Sequence, residues 1–259
     1  MLRIIGKVLL TILIGLVGLI VLGLLFLGAI SIFVKNGKVQ TNSSRFYRTV
    51  LYTAVWIAVV FGMLTVKVTG GEKIDRLVKQ GRRFLLVGNH ISNFDPIVTW
   101  FAFRKAKLAF ISKPANFKIP FFGKIARKCL CLPIDREDPR KALPTIRQAA
   151  EYIKADEVSF GAYPEGTRNK TPERGLLPFR NGVFKIAQWA GNVPIAVVAV
   201  QGTEQVCRNW PLRRTVVSLD VLRVLEPEEI AGKKTAEIGE TVRKELSDAI
   251  YGEKAQSAE

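Results

Sequence analysis

The chain has 259 residues, with 39 Lys+Arg against 22 Asp+Glu, one His and three Cys. That length buries a real core in one sizeable domain, and 48% apolar with 24% charged residues excludes a disordered or collagen-like chain. An odd cysteine count argues against a disulfide framework, a single His excludes a His-rich metal site, and the net charge of +17 calls for an anionic partner: nucleic acid, membrane surface or phosphorylated substrate.

Residues 1–71 hold seven basic residues (Arg3, Lys7, Lys35, Lys38, Arg45, Arg48, Lys67) and no acid. Residues 8–34 carry no charge; as a helix they would reach about 40 Å, enough to cross a roughly 30 Å hydrocarbon core with tilt. The apolar region of a signal peptide is about 7–15 residues, so a retained anchor is expected. A second uncharged run, 51–66, would reach about 24 Å as a helix, marginal for a crossing. Lys35, Lys38, Arg45 and Arg48 place the intervening segment on the cytoplasmic side. A spanning helix at 8–34 followed by an interfacial or embedded helix at 51–66 keeps the rest of the chain cytoplasmic at the cell membrane. Alternatively, 51–66 is a core helix of the following domain.

Beyond residue 70 short apolar runs at 84–88, 108–112, 129–134, 158–163, 194–200 and 215–224 read as strands. Periodic segments near 73–80, 97–105, 140–154, 180–190 and 234–251 read as helices between them. The alternation predicts an α/β fold, a largely parallel mixed sheet flanked by helices, preceded by an N-terminal membrane-embedded helical segment. The expected division is an anchor at 1–70, a main domain at 71–253 and a flexible tail at 254–259.

The one histidine lies in Asn89-His90-Ile91-Ser92-Asn93-Phe94-Asp95-Pro96, directly after a predicted strand, with Pro96 suited to the first turn of a helix. A tight turn over Ser92-Asn93 would bring the Asp95 carboxylate to the imidazole, fixing its tautomer and stabilising the imidazolium formed when the other nitrogen takes a proton. The plainer alternative is a structural His with Asp95 as a helix cap. After another predicted strand, Tyr163-Pro164-Glu165-Gly166-Thr167-Arg168 sets a glycine between a carboxylate and a guanidinium, which suits phosphate binding but also an ordinary solvated turn. From Pro96 to Ile134 there are eight basic residues and no acid, with Phe117, Ile119, Phe121 and Phe122 interleaved. That stretch fits anionic headgroups, donor phosphates or an acidic carrier protein, or is a solvated basic face.

Taken together these segments resemble the glycerolipid acyltransferase family, which includes the 1-acylglycerol-3-phosphate acyltransferases. Four blocks match in order over roughly residues 84–201: His90, Ser92 and Asp95; Ile134-Asp135-Arg136; Tyr163 to Arg168, with Tyr for the more common Phe; and Val193-Pro194-Ile195, with Val197 where a second proline is frequent. The resemblance implies transfer of an acyl group from acyl-CoA or acyl-carrier protein to the sn-2 hydroxyl of lysophosphatidate, at a membrane, with no cofactor and no metal. It implies that His90 is the base and Asp95 its orienting partner. Arg136 and Arg168 would hold the acceptor's phosphate, Glu165 would fix Arg168 or its loop, the backbone N–H of Gly166 or a neighbour such as Thr167 would meet the oxyanion, and Lys113 would touch ligand. No G-x-S-x-G elbow is present, and Cys129, Cys131 and Cys207 lie in settings typical of buried thiols, so no enzyme nucleophile is expected. Other readings are an acyltransferase for another lysophospholipid or a lyso-aminolipid, and a non-catalytic anionic-lipid-binding protein. Nucleic-acid binding has charge in its favour but no reading motif.

Overall fold

Seven short strands form one sheet: β1 (Leu64–Thr69), β2 (Leu85–Gly88), β3 (Leu108–Ser112), β4 (Leu132–Pro133), β5 (Ser159–Ala162), β6 (Ile195–Gln201) and β7 (Thr215–Leu225). The structure is a computed structural model describing residues 40–256 and, before them, positions 11, 15, 18, 23, 25–29, 32 and 34. The spatial order is β1-β7-β6-β2-β5-β3-β4, parallel at every pair except β6 with β7. β2 and β5 are buried along their whole length, as a sheet covered on both faces requires. Helices Glu72–Lys79, Asp95–Ala102, Pro139–Lys154, Lys185–Trp189 and Thr235–Gln256 flank it, so the expected α/β class holds.

Because β2, β3, β4 and β5 run the same way, their carboxyl ends open on one edge. His90 follows β2, Lys113 follows β3, Arg136 follows β4, and the 163–168 segment follows β5. In open α/β sheets that edge is where ligands bind.

Several expectations need correcting. The uncharged run 51–66 is not one helix. A helix spans Arg45–Phe61, Gly62 caps it, Met63 turns the chain with φ 53°, and Leu64–Thr69 becomes β1, paired in parallel with β7. Hydropathy could not separate a helix from the β-branched strand that follows it, and the sheet therefore begins inside the segment assigned to the anchor. Tyr47, Leu51, Val55 and Val59 repeat every four residues and bury one face of the Arg45–Phe61 helix, while Trp56, Ile57, Val60 and Phe61 stay exposed on the other. Arg48, grouped above with the topology-setting cations, is instead buried and donates to Leu108 O and Cys129 O, each at 3.1 Å, pinning this helix to the domain.

The strand expected at 129–134 shrinks to Leu132–Pro133. An unforeseen helix, Phe122–Lys128, precedes it, and Leu130 turns the chain with φ 65°. The helix Thr235–Gln256 runs past the boundary expected for the tail at 253/254, and 257–259 lie outside the described residues. The spanning helix expected at 8–34 falls largely outside them too; among the described residues no helix is long and apolar enough to cross a membrane.

Candidate active site

The site starts with a turn. After β2 the chain turns at Asn93-Phe94, one residue later than expected, and enters the helix at Asp95, with Pro96 in the first turn. Asp95, wholly buried, gathers the turn around its carboxylate. Oδ2 accepts from His90 Nδ1 at 2.7 Å and from the amides of Ile91 and Ser92 at 2.8 Å; Oδ1 accepts from the Thr203 hydroxyl. An ionised carboxylate only accepts, so the proton is assigned to Nδ1 and Nε2 is left as the basic nitrogen.

The ring is also held on one face. Tyr163 stacks on it with centroids 4.5 Å apart and planes 13° from parallel, and Phe110 lies beyond Tyr163 at 5.8 Å. Burial, with the Asp95 charge nearby, pushes the Tyr163 phenol well above its ordinary range, so it stays neutral. Glu165, also buried, accepts from the His90 amide at 2.7 Å through Oε1 and from the Leu177 amide at 3.0 Å through Oε2. Of its two expected tasks it performs the loop-fixing one, and no ion pair to Arg168 forms among the described residues. Burial raises its pKa, opposed by the two amide donors.

A cavity of about 410 Å³ opens beside the imidazole. His90, Lys113, Arg136, Thr167 and Arg168 all line it, with an apolar wall that includes Ile97, Trp100, Phe110, Phe117 and Phe122. A lining that combines cations with aromatic and aliphatic side chains suits an amphipathic anion. Arg136 also donates to Gly166 O, which ties β4's exit to the 163–168 loop.

Gly166 departs from its expected role. Its N–H donates to Tyr163 O at 3.0 Å, closing the turn, and so is committed within the backbone. The glycine is required for another reason: φ is +71°, and a Cβ there would sit 2.7 Å from the Arg180 side chain.

Two residues escaped the sequence reading. The Asn89 amide bridges Val200, donating to its O and accepting from its N, both at 2.8 Å, which fastens the end of β2 to β6. Thr203 reaches Asp95 from just beyond β6, after a turn at Gly202 with φ 86°. The only available signals were a buried Asn at a strand end and a Gly-Thr pair, neither diagnostic alone.

Of the three cysteines only Cys131 lines the cavity. Burial pushes the Cys129 thiol up to about 12 and the Cys131 thiol up to about 11, and Cys207 is exposed away from the cavity lining. No group of His, Cys, Asp and Glu able to hold a metal occurs among the described residues.

The acyltransferase family profile matches residues 65–201. The 1-acyl-sn-glycerol-3-phosphate acyltransferase of Haemophilus influenzae is 32% identical over 179 residues, covering 69% of this chain and 71% of that protein. The 1-acyl-sn-glycerol-3-phosphate acyltransferase of Saccharomyces cerevisiae is 26% identical over 189 residues, and the match spans 60% of its length. The crystal structure of the 1-acyl-sn-glycerophosphate (LPA) acyltransferase, PlsC, from Thermotoga maritima superposes with a TM-score of 0.61 at 25% identity, covering 89% of this chain and 88% of that one. With a matching profile over more than half its length, and with the His90–Asp95 pair and the Glu165–Arg168 loop meeting at one cavity, the chain belongs to the acyltransferase family.

Proposed function

We propose that the protein is a 1-acylglycerol-3-phosphate O-acyltransferase, moving an acyl group from a thioester to the sn-2 hydroxyl of lysophosphatidate to give phosphatidate. The observation that carries this reading is the His90 Nδ1–Asp95 hydrogen bond at 2.7 Å on the wall of a cavity that also holds Arg136, Arg168 and Lys113. His90 Nε2 takes the acceptor's hydroxyl proton as the oxygen attacks the thioester carbonyl carbon. The carbon–sulfur bond then breaks, and the proton passes from the imidazolium to the departing thiolate. Asp95 offsets the transient positive charge on the ring, and Tyr163 keeps the ring plane fixed. Arg136 and Arg168 bind the acceptor's phosphate, with Lys113 beside them. The relatives' names support lysophosphatidate as acceptor. Acyl-CoA or acyl-carrier protein serves as donor substrate, and no cofactor takes part.

We further propose that the protein works on the cytoplasmic surface of the cell membrane, with the Arg45–Phe61 helix lying in the interface. Its exposed residues Trp56, Ile57, Val60 and Phe61 support this. So does the loop before β7, where the Trp210 indole donates to Phe61 O at 2.9 Å and Leu212 is 89% exposed beside Arg213 and Arg214.

The test is His90→Ala assayed with a panel of lysophospholipid and glycerol-3-phosphate acceptors. The variant is expected to lose nearly all acyl transfer while still sedimenting with membranes. Retention of more than a tenth of the wild-type rate overturns His90 as base, and wild-type transfer to another acceptor in preference to lysophosphatidate overturns the substrate.

A further inference from the structure

A second cavity, of about 420 Å³, lies against the catalytic one and shares Ile111, Arg136 and Tyr163 with it. Its floor is apolar, built from Ile134, Ala142, Leu143, Ile146 and Val183, and its lining carries four cations: Arg136, Arg140, Arg180 and Lys185. The one acid in the lining, Asp135, also holds its own turn: Oδ1 accepts from the amides of Glu137 at 3.0 Å and Asp138 at 3.4 Å. Among the described residues no carboxylate forms an ion pair with any of the four cations. Four cations thus share the lining with one carboxylate, and two of the guanidiniums are brought together with no carboxylate paired to either. Burial lowers the Arg136 pKa, and the Arg180 charge lowers it further.

The fold builds this cluster deliberately. The Arg180 amide donates to Pro164 O at 2.8 Å, and its side chain lies over Gly166 in the space a Cβ would fill. The glycine of the 163–168 block thus makes room for an arginine that belongs to none of the four blocks. Like-charged groups held together in a partly buried wall are unfavourable unless an anion joins them.

The reaction proposed above brings two anionic substrates to one hydroxyl-to-thioester encounter. The acceptor's single phosphate is served by Arg136 and Arg168 in the catalytic cavity. Arg140, Arg180 and Lys185 lie outside that cavity's lining, beyond the Arg136–Tyr163 wall. We infer that the second cavity is the donor's subsite, where Arg140, Arg180 and Lys185 bind the phosphate of a phosphopantetheine arm and the apolar floor takes the arm's uncharged chain. This rests on the acyltransferase reading, and the ligand chemistry is common to coenzyme A and to a carrier protein's prosthetic arm.

Calorimetric titration tests it without needing turnover. Coenzyme A, 4′-phosphopantetheine and pantetheine are titrated into the full chain and into Arg140→Gln/Arg180→Gln. Wild type should bind both phosphate-bearing probes at least about tenfold more tightly than pantetheine. The double variant should lose that preference while its affinity for pantetheine and its melting temperature stay unchanged, and Arg180→Lys should recover part of it. Phosphate-bearing probes that bind no better than pantetheine, or a variant that keeps the preference, overturn the subsite. So does a variant that instead loses affinity for lysophosphatidate, which would assign the cluster to the acceptor. Coenzyme A binding that follows this pattern in a protein without acyl transfer upholds the subsite and removes the function; transfer with indifferent coenzyme A binding does the reverse.

Discussion

Replacing Asp95 with asparagine isolates the charge beside the histidine from everything else the carboxylate does. Oδ2 accepts three N–H groups, His90 Nδ1, Ile91 N and Ser92 N, while Oδ1 faces the Thr203 hydroxyl. The asparagine oxygen must therefore occupy the Oδ2 position, because the opposite orientation sets an NH₂ group against three donors. The Thr203 hydroxyl can rotate to accept from the amide, so the turn and the imidazole tautomer survive. What is lost is the negative charge that offsets the imidazolium. Opposite unit charges about 4 Å apart attract by about 4 kcal/mol at an effective dielectric near 20. The neutral hydrogen bond left behind retains roughly 1 kcal/mol. The remaining loss of about 3 kcal/mol corresponds to a fall in kcat of about two orders of magnitude. Conversion of radiolabelled lysophosphatidate measures it, with KM for lysophosphatidate within about threefold of wild type and the melting temperature little changed. An Asp95→Asn protein that folds normally and keeps more than a tenth of wild-type kcat would refute an imidazolium in the rate-determining step.

Three further outcomes follow from individual contacts. Glu165→Gln keeps the side chain's shape but can accept from only one of the His90 and Leu177 amides, so one buried N–H is left unpaired; urea denaturation should register a loss of about 1–3 kcal/mol. An unchanged denaturation midpoint would mean that the clamp contributes nothing. In native protein at pH 8 a maleimide should label Cys207 alone, because Cys129 and Cys131 are buried, with thiols raised to about 12 and about 11. Labelling at either buried thiol before unfolding contradicts that packing. Phe61→Asp with Leu212→Asp should reduce sedimentation of a fragment lacking residues 1–39 with anionic vesicles without altering its circular dichroism; equal sedimentation removes this face from the membrane contact.

What the sequence made legible was local. His90 and Asp95 meet across one turn, so their spacing within five residues foretold the contact. Lys113, Arg136 and the 163–168 segment were placed correctly because each follows a strand of a parallel set, and β2, β3 and β5 were readable as apolar runs. The misreadings came where hydropathy is continuous but the backbone is not. Phe61 to Leu64 passes from helix to strand through Gly62 and Met63 without a polar residue, and Cys129-Leu130-Cys131 is buried like a strand yet turns at Leu130. The choice between Glu165 fixing Arg168 and fixing its loop was not legible, because it depends on the Leu177 and His90 amides folding onto a buried carboxylate from twelve and seventy-five residues away. Asn89 and Thr203 were invisible because their partners lie more than a hundred residues away in the chain.

Those distant contacts give the fourth block a physical role. Val193-Pro194-Ile195 carries no polar side chain and touches neither cavity. It opens β6, the strand that pairs with β2 in parallel along Leu85–Gly88. Register there decides where β6 ends, and its end supplies both Val200, which receives Asn89, and the Gly202 turn that delivers Thr203 to Asp95. A slip of one residue in this pairing would reverse the face of every β6 side chain and withdraw Thr203 from the carboxylate. Proline suits the position because Pro194 stands just before the strand and needs no N–H for the ladder, while its carbonyl still accepts from Leu85 N at 2.9 Å. The block therefore acts on the chemistry through strand register: it fixes the height at which β6 releases the chain, and with it the second oxygen of the carboxylate that holds His90.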